Sequence, residues 1–399
     1  MHARSLRKSG HFPSLVASLL HFDVSFMVWV LLGALGAYVA KDLGLSSFQK
    51  GLVVAVPPLG GAAFRLLLGS LADRVGIKGL GLITMGLTTV PLLWGWLAGG
   101  ALLQVLGIGL LLGVAGASFA VALPLASRWY PPEQQGLVLG IAGAGNSGTV
   151  VAALAAPRLA EHVGWHGVFG LALIPVCAVW VLFAILAKEP PKVVSATKVS
   201  PLSLLREADP RWLCGFYAVS FGSFVGLAGY LSIYFVDRFD LQKVTAGGFA
   251  AICTVAGSLL RPLGGALADR FSGTRVLQVA LVGVGAMIAG VATNPRLGLT
   301  VVLLAVSLGL LGMCNGAVFQ MVGARLPSRV GAMTGLVGAA GGLGGFALPF
   351  GFGALKSATG GFGMGFALLA AVAVLASLVA ASRQRRWYTA VVENALVAA

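Results

Sequence analysis

Long apolar runs separated by short polar turns recur from one end of the chain to the other. A helix needs about 20 apolar residues to cross a ~30 Å hydrocarbon core, and the runs predict about twelve such crossings. They fall near 16–40, 47–70, 79–97, 101–126, 136–160 and 166–187, then 212–236, 243–267, 276–294, 298–324, 331–355 and 361–382. The longest polar stretch runs from Lys188-Glu189-Pro190-Pro191-Lys192 to Pro210-Arg211, between the sixth and seventh runs. The pattern predicts an all-α polytopic membrane protein made of two pseudo-symmetric six-helix bundles. Residues 1–188 form the first, 189–211 a cytoplasmic linker, and 212–399 the second with a short cytoplasmic tail. The run after Arg4, Arg7 and Lys8 is too long for a secretory signal and lacks a small-residue cleavage site, so it is read as the first span.

Composition sharpens this picture. The chain is 58% hydrophobic and only 10% charged, against about 25% charged in a soluble domain. Glycine supplies 58 of the 399 residues, about twice its usual share, which suits close helix packing in lipid. The net charge of +15 would suggest nucleic acid in a soluble protein. Here it sorts by side: with the N-terminus inside, eighteen of the 27 basic residues lie in cytoplasmic positions and seven in outer loops. Positive residues concentrate on the cytoplasmic face of membrane proteins, so both termini are placed there and no nucleic-acid partner is expected. Cys177, Cys214, Cys253 and Cys314 have no paired spacing and read as buried, inert thiols. His162 and His166, across Gly164, read as surface residues of an outer loop, and no metal or cofactor is expected.

The two basic residues left over are Arg65 and Arg261, each deep in an apolar run and 196 residues apart. Each lies eight residues before a loop aspartate, Asp73 or Asp269, about 12 Å along a helix and hence near mid-membrane. Eleven of the twelve acidic residues sit in loops or at helix ends, so neither arginine has an obvious counter-ion. A guanidinium stays charged and is costly in hydrocarbon, so a symmetry-matched pair marks an anion pathway. The alternative is a structural arginine bonded to backbone carbonyls. Only Asp23, next but one to His21, lies within a span; it is either a proton site or a solvated carboxylate at the cytoplasmic edge.

The stretch Gly69-Ser70-Leu71-Ala72-Asp73-Arg74-Val75-Gly76-Ile77-Lys78 resembles the signature loop of the major facilitator superfamily, and Gly265 to Arg275 is its weaker echo. Asp73, Arg74, Asp269 and Arg270 are thereby read as structural or gating residues. Gly143-Ala144-Gly145-Asn146-Ser147-Gly148 in the fifth run is not a dinucleotide loop, because no strand precedes it and no acid follows at the required distance. Together with Gly338, Gly341 and Gly342 in the eleventh run and the arginines of the second and eighth, it resembles the nitrate/nitrite porter family. Phe26-Met27-Val28-Trp29 and Phe221-Gly222-Ser223-Phe224 share that likeness. The resemblance implies a substrate site of Arg65, Arg261, Asn146, Tyr217, Phe119 and Phe319, with Gly143, Gly145, Gly148, Gly338, Gly341 and Gly342 letting the helices move.

What the resemblance implies is a nitrate/nitrite transporter working by alternating access in the bacterial inner membrane, as a monomer, with no enzymatic activity. Two guanidinium forks suit a planar monovalent oxyanion, and aromatic faces favour a flat guest over a tetrahedral one. The start of the first span, Phe22-Asp23-Val24-Ser25-Phe26, resembles the proton-coupled branch, which points to nitrate uptake with a proton through Asp23. Nitrate–nitrite exchange, transport of another small anion, and a non-transporting nutrient receptor stay open.

Overall fold

The computed structural model describes residues 9–191, 201–326 and 329–398. All regular structure among them is helical, and it follows the predicted runs. The first run is helical over Phe12–Trp29, then continues as short helices Leu31–Ala34 and Gly36–Asp42; together these are α1. The breaks at Val30 and Leu35 flank Gly33 and Gly36, where a neighbouring helix crosses closely. A Cβ on Gly33 would meet the Cα of Gly229 at 2.7 Å.

Next come α2 (Ser47–Leu68) and α3 (Val75–Leu97), two helices with the chain reversing at Gly76, whose φ of 77° suits glycine. Glu189 accepts from the backbone N–H groups of Ile77 and Lys78 at 2.7 and 2.8 Å, capping the start of α3. Asp73, read from the sequence as structural or gating, has a helical backbone, but its side chain and that of Arg74 lie outside the described residues, as do linker residues 192–200. Asp269 and Arg270 are exposed at the end of their helix.

The fourth span, α4 (Leu102–Ser127), is interrupted after Gly116 and resumes at Phe119. Then α5 (132–163) contains a 3-10 turn at Ala144–Ser147, and α6 (165–186) follows a second glycine reversal at Gly164, φ 69°. In the C-terminal half α7 is Ala208–Phe239, α8 Lys243–Phe271, α9 Gly273–Ala292, α10 Leu297–Arg325, α11 Val330–Thr359 and α12 Gly363–Ala398. Eleven described stretches are long and apolar enough to cross a membrane; the 46-residue one, Ile141–Leu186, holds two passes folded at Gly164. Twelve passes result, making a multi-pass membrane protein.

The halves repeat one another in their glycine contacts. In α2 and α4, a Cβ on Gly113 would sit 2.2 Å from Gly60; in α8 and α10, one on Gly312 would sit 2.0 Å from Gly257. Within the C-terminal half α7 meets α11 at Gly222 and Gly344; between halves, α2 meets α11 at Gly51 and Gly353, and α5 meets α8 at Pro157 and Gly247. Small residues here let backbones touch, as lipid-embedded packing requires. Of the cysteines, Cys214, Cys253 and Cys314 are buried, but Cys177 on the outer surface of α6 is exposed, a correction to the expectation. His162 is exposed, whereas His166 is partly buried against Trp165 and contacts the carbonyl of Gly95 at 2.6 Å.

Candidate functional site

Arg65 on α2 is 2% exposed and points inward, not to lipid. Its Nε donates to the carbonyl of Gly116 at 3.0 Å and its Nη1 to the carbonyl of Gly338 on α11. Both carbonyls are open for a reason in the sequence. The α4 ladder breaks just after Gly116, and Gly338 has no side chain, where a Cβ would lie 3.3 Å from the Cδ of Arg65. The guanidinium carbon lies 5.2 Å from the Trp29 ring, 5.5 Å from Phe221 and 5.8 Å from Phe119. Its Nη2 is buried and has no partner among the described residues.

Arg261 on α8 is half-buried. Its Nη2 donates to the Tyr217 hydroxyl over a long 3.4 Å, and its Nη1 is buried with no partner among the described residues. Its guanidinium carbon lies 5.7 Å from Phe119 and 5.6 Å from Phe319. One ring, Phe119, therefore serves both cations. Among the described residues neither arginine is paired with a carboxylate; the ion pairs lie at the two ends of the bundle.

The rings form a continuous cage. Phe319 meets Phe119 at 5.3 Å and Tyr217 edge-on at 5.1 Å, Tyr217 stacks on Phe221 at 4.8 Å, and Phe221 stacks on Trp29 at 6.4 Å. Glycines of α11 make room: a Cβ on Gly341 would strike the Tyr217 ring at 2.6 Å, and one on Gly342 would lie 2.9 Å from the Pro58 carbonyl. Each cation–π contact contributes on the order of 1 kcal/mol. Burying each charge costs several kcal/mol even after relaxation. The rings alone do not close that gap, so the cage is electrostatically incomplete and suited to an anion held by the two free nitrogens.

Five of the six expected substrate residues thus converge: Arg65, Arg261, Tyr217, Phe119 and Phe319. The sixth, Asn146, is 2% exposed in the 3-10 turn of α5, with an unpartnered Oδ1. That turn packs against α1 and α8, the helix of Arg261, and no direct bond from Asn146 to either arginine is found among the described residues. Gly145 and Gly148 seat the turn on α1, where a Cβ on Gly148 would meet the Asp23 carbonyl at 1.9 Å; Gly143 faces open space. Asp23 lies in the middle of Phe12–Trp29 and is half-buried, its Oδ1 accepting from Ser147 Oγ at 2.6 Å. It does not pair with His21, which is fully buried toward Thr84 and Phe183.

Trp29 and Phe221 belong to the cage although they were not singled out as substrate residues. Phe221 lies one helical turn after Tyr217, a spacing that puts both on one face. Ser118 and Asn315 are also buried with unpartnered oxygens, beside Phe119 and one turn before Phe319.

Comparison with known proteins places these residues in context. Residues 17–349 match the family described as Major Facilitator Superfamily. The "Nitrite extrusion protein" of Bacillus subtilis (strain 168) is 36% identical, covering 90% of this chain and 91% of the relative. The "Probable nitrate/nitrite transporter NarK2" of Mycobacterium tuberculosis (strain CDC 1551 / Oshkosh) is 34% identical over 94% and 97% of the two chains. The "Probable nitrate/nitrite antiporter NarK1" of Thermus thermophilus is 33% identical over 83% and 82%. Among solved structures, the human organic anion transporter MFSD10 superposes with a TM-score of 0.70 over 93% of this chain and 99% of its own, at 15% identity, a likeness of fold.

Proposed function

Because the chain belongs to the Major Facilitator Superfamily, within its nitrate/nitrite porters, and is a transporter and not an enzyme, we propose that it carries nitrate and nitrite by alternating access. One observation carries the substrate assignment. Two guanidinium groups flank the Phe119 ring, each with a buried terminal nitrogen that has no partner among the described residues, in an aromatic cage to which those residues bring no carboxylate. A planar monovalent oxyanion offers acceptors to both nitrogens at once and lies flat against rings.

The bond from Arg65 to Gly338 crosses between halves. An anion that replaces this carbonyl frees α11 while keeping Arg65 neutralised, so occupancy of the cage is what lets the halves rock. We take 1–188 and 212–399 as the moving bodies and 189–211 as the linker between them. With the termini on the cytoplasmic face of a bacterial inner membrane, the end sealed by Lys50 and Asp237 is the outer one.

Uptake against an inside-negative potential costs about 2.3 kcal/mol per charge per 100 mV, so it requires a co-transported cation. Asp23 is suited to carry a proton. Its bond to Ser147 ties its ionisation to the turn that holds Asn146. Nitrate–nitrite exchange is the second reading, favoured by the likeness to the Thermus thermophilus antiporter and by Asp23 bonding to Ser147, with no bond to either arginine among the described residues.

Purified protein in liposomes, with pH and voltage clamped separately, separates the readings. Labelled nitrate entering on nitrite exchange supports the substrate, and net uptake driven by a proton gradient supports symport. Net accumulation that survives collapse of the gradient rules symport out. Formate should compete for the cage and tetrahedral perchlorate should not; equal competition by both removes the case for a flat anion.

A further inference from the structure

At the end of the bundle opposite the termini, the two halves leave between them a cleft of about 330 Å³. The N-terminal half contributes Lys41 and Lys50 to its wall, the C-terminal half Asp237 and Lys243, above an apolar floor that includes Ala37 and Ile233. Asp237 is already engaged: it accepts from Lys50 Nζ at 2.9 and 3.0 Å and from Lys356 Nζ. Lys243 lays its ammonium over the Tyr38 ring at 4.1 Å, with Lys41, Asp42 and Glu161 in electrostatic reach. Asp42 in turn accepts from Trp165 Nε1 at 2.9 Å. Four ammonium groups thus meet three carboxylates, and only the doubly occupied Asp237 lines the cleft.

The cations of this cleft differ in kind from those of the central cage. A guanidinium is flat and weakly hydrated, whereas an ammonium is a compact, strongly hydrated point charge. At ~30 Å³ per water, the cleft has room for on the order of ten waters, enough for an ion with part of its hydration shell. We propose that the cleft binds a hydrated divalent oxyanion of the sulfate or phosphate class, held between Lys41 of one half and Lys243 of the other. Bound there, the ion bridges the halves beside the Lys50–Asp237 pair and holds this end of the transporter shut.

Sulfate titrated into the full-length chain, purified in phosphatidylcholine nanodiscs, tests the site by calorimetry. The expected result is one saturable ion per chain, weakened about tenfold by Lys41→Gln with Lys243→Gln, as two partly exposed charges of ~1 kcal/mol or less each would give. Arg261→Gln, which impairs the central cage, should leave sulfate binding intact. Absence of saturable binding, or loss in Arg261→Gln with retention in the lysine double variant, overturns the proposal. Adding phosphatidic acid to the nanodiscs, whose phosphomonoester can carry two charges as sulfate does, distinguishes sources. Displacement of sulfate supports a headgroup phosphate in the same seat, and no displacement supports a free ion. Binding is measured without transport, so its failure and the failure of the nitrate assignment are separate results.

Discussion

Arg65 and Arg261 occupy matched places in the two halves, yet their surroundings differ. Arg65 is sealed at 2% exposure, bonded to two backbone carbonyls and faced by three rings. Arg261 is half-buried, faced by two rings and tied only to a hydroxyl at 3.4 Å. A repeated sequence position has therefore become a fixed cation in one half and a looser one in the other. The carbonyl-bonded structural arginine that the sequence left open is partly realised at Arg65, which spends two of its nitrogens on the scaffold and keeps one for a guest. Under the proposed function, asymmetry of this sort would let one half hold an anion while the other half adjusts around it.

The largest test of that difference is Arg65→Lys, which keeps the charge but cannot reach Gly116 and Gly338 while also offering a nitrogen to the anion. Charge-assisted bonds contribute ~1.5–3 kcal/mol each, so nitrate exchange in liposomes should fall by about a hundredfold or more. Near-normal kinetics would break the comparison at its stronger end. Arg261→Lys should cost about tenfold, since one long bond is lost and the charge stays; a loss equal to that of Arg65→Lys would abolish the ranking. Asn146→Ala should shift affinity or the nitrate-to-nitrite preference severalfold, read as a change in the ratio of half-saturation constants, with insertion into the membrane intact. Smallest is Tyr217→Phe, which removes a neutral hydroxyl worth ~1 kcal/mol and should weaken nitrate by about fivefold or less. A larger loss there would mean that the hydroxyl touches the anion itself.

Much of this architecture was legible in the sequence because it depends on run length and residue type. Twelve apolar runs, a polar interval between the sixth and seventh, and two charges where none should be are each local facts. Membership in the Major Facilitator Superfamily was equally visible in the loop around Asp73 and Arg74. What escaped depends on how helices meet. Trp29 and Phe221 stood in stretches that resemble the family but carried no substrate role until α1, α2 and α7 bring both rings within 6 Å of Arg65, at 5.2 and 5.5 Å. His21 and Asp23, two residues apart, look like a cluster on paper. A helix turns about 200° over two residues, which sends His21 to α3 and Asp23 to α5. The breaks at Val30 and after Gly116 carry no proline and no turn signal; they follow from crossing contacts that no single segment records. Cys177 was misplaced for the same reason, since a helix apolar all round does not declare which side meets lipid.

The ring of Phe119 lies 5.8 Å from one guanidinium and 5.7 Å from the other. A duplicated molecule would ordinarily let its copies drift apart, each tolerating its own substitutions. Here a change in one phenylalanine alters the setting of both charges at once, so at this level the two halves share a single inheritance and must vary in step.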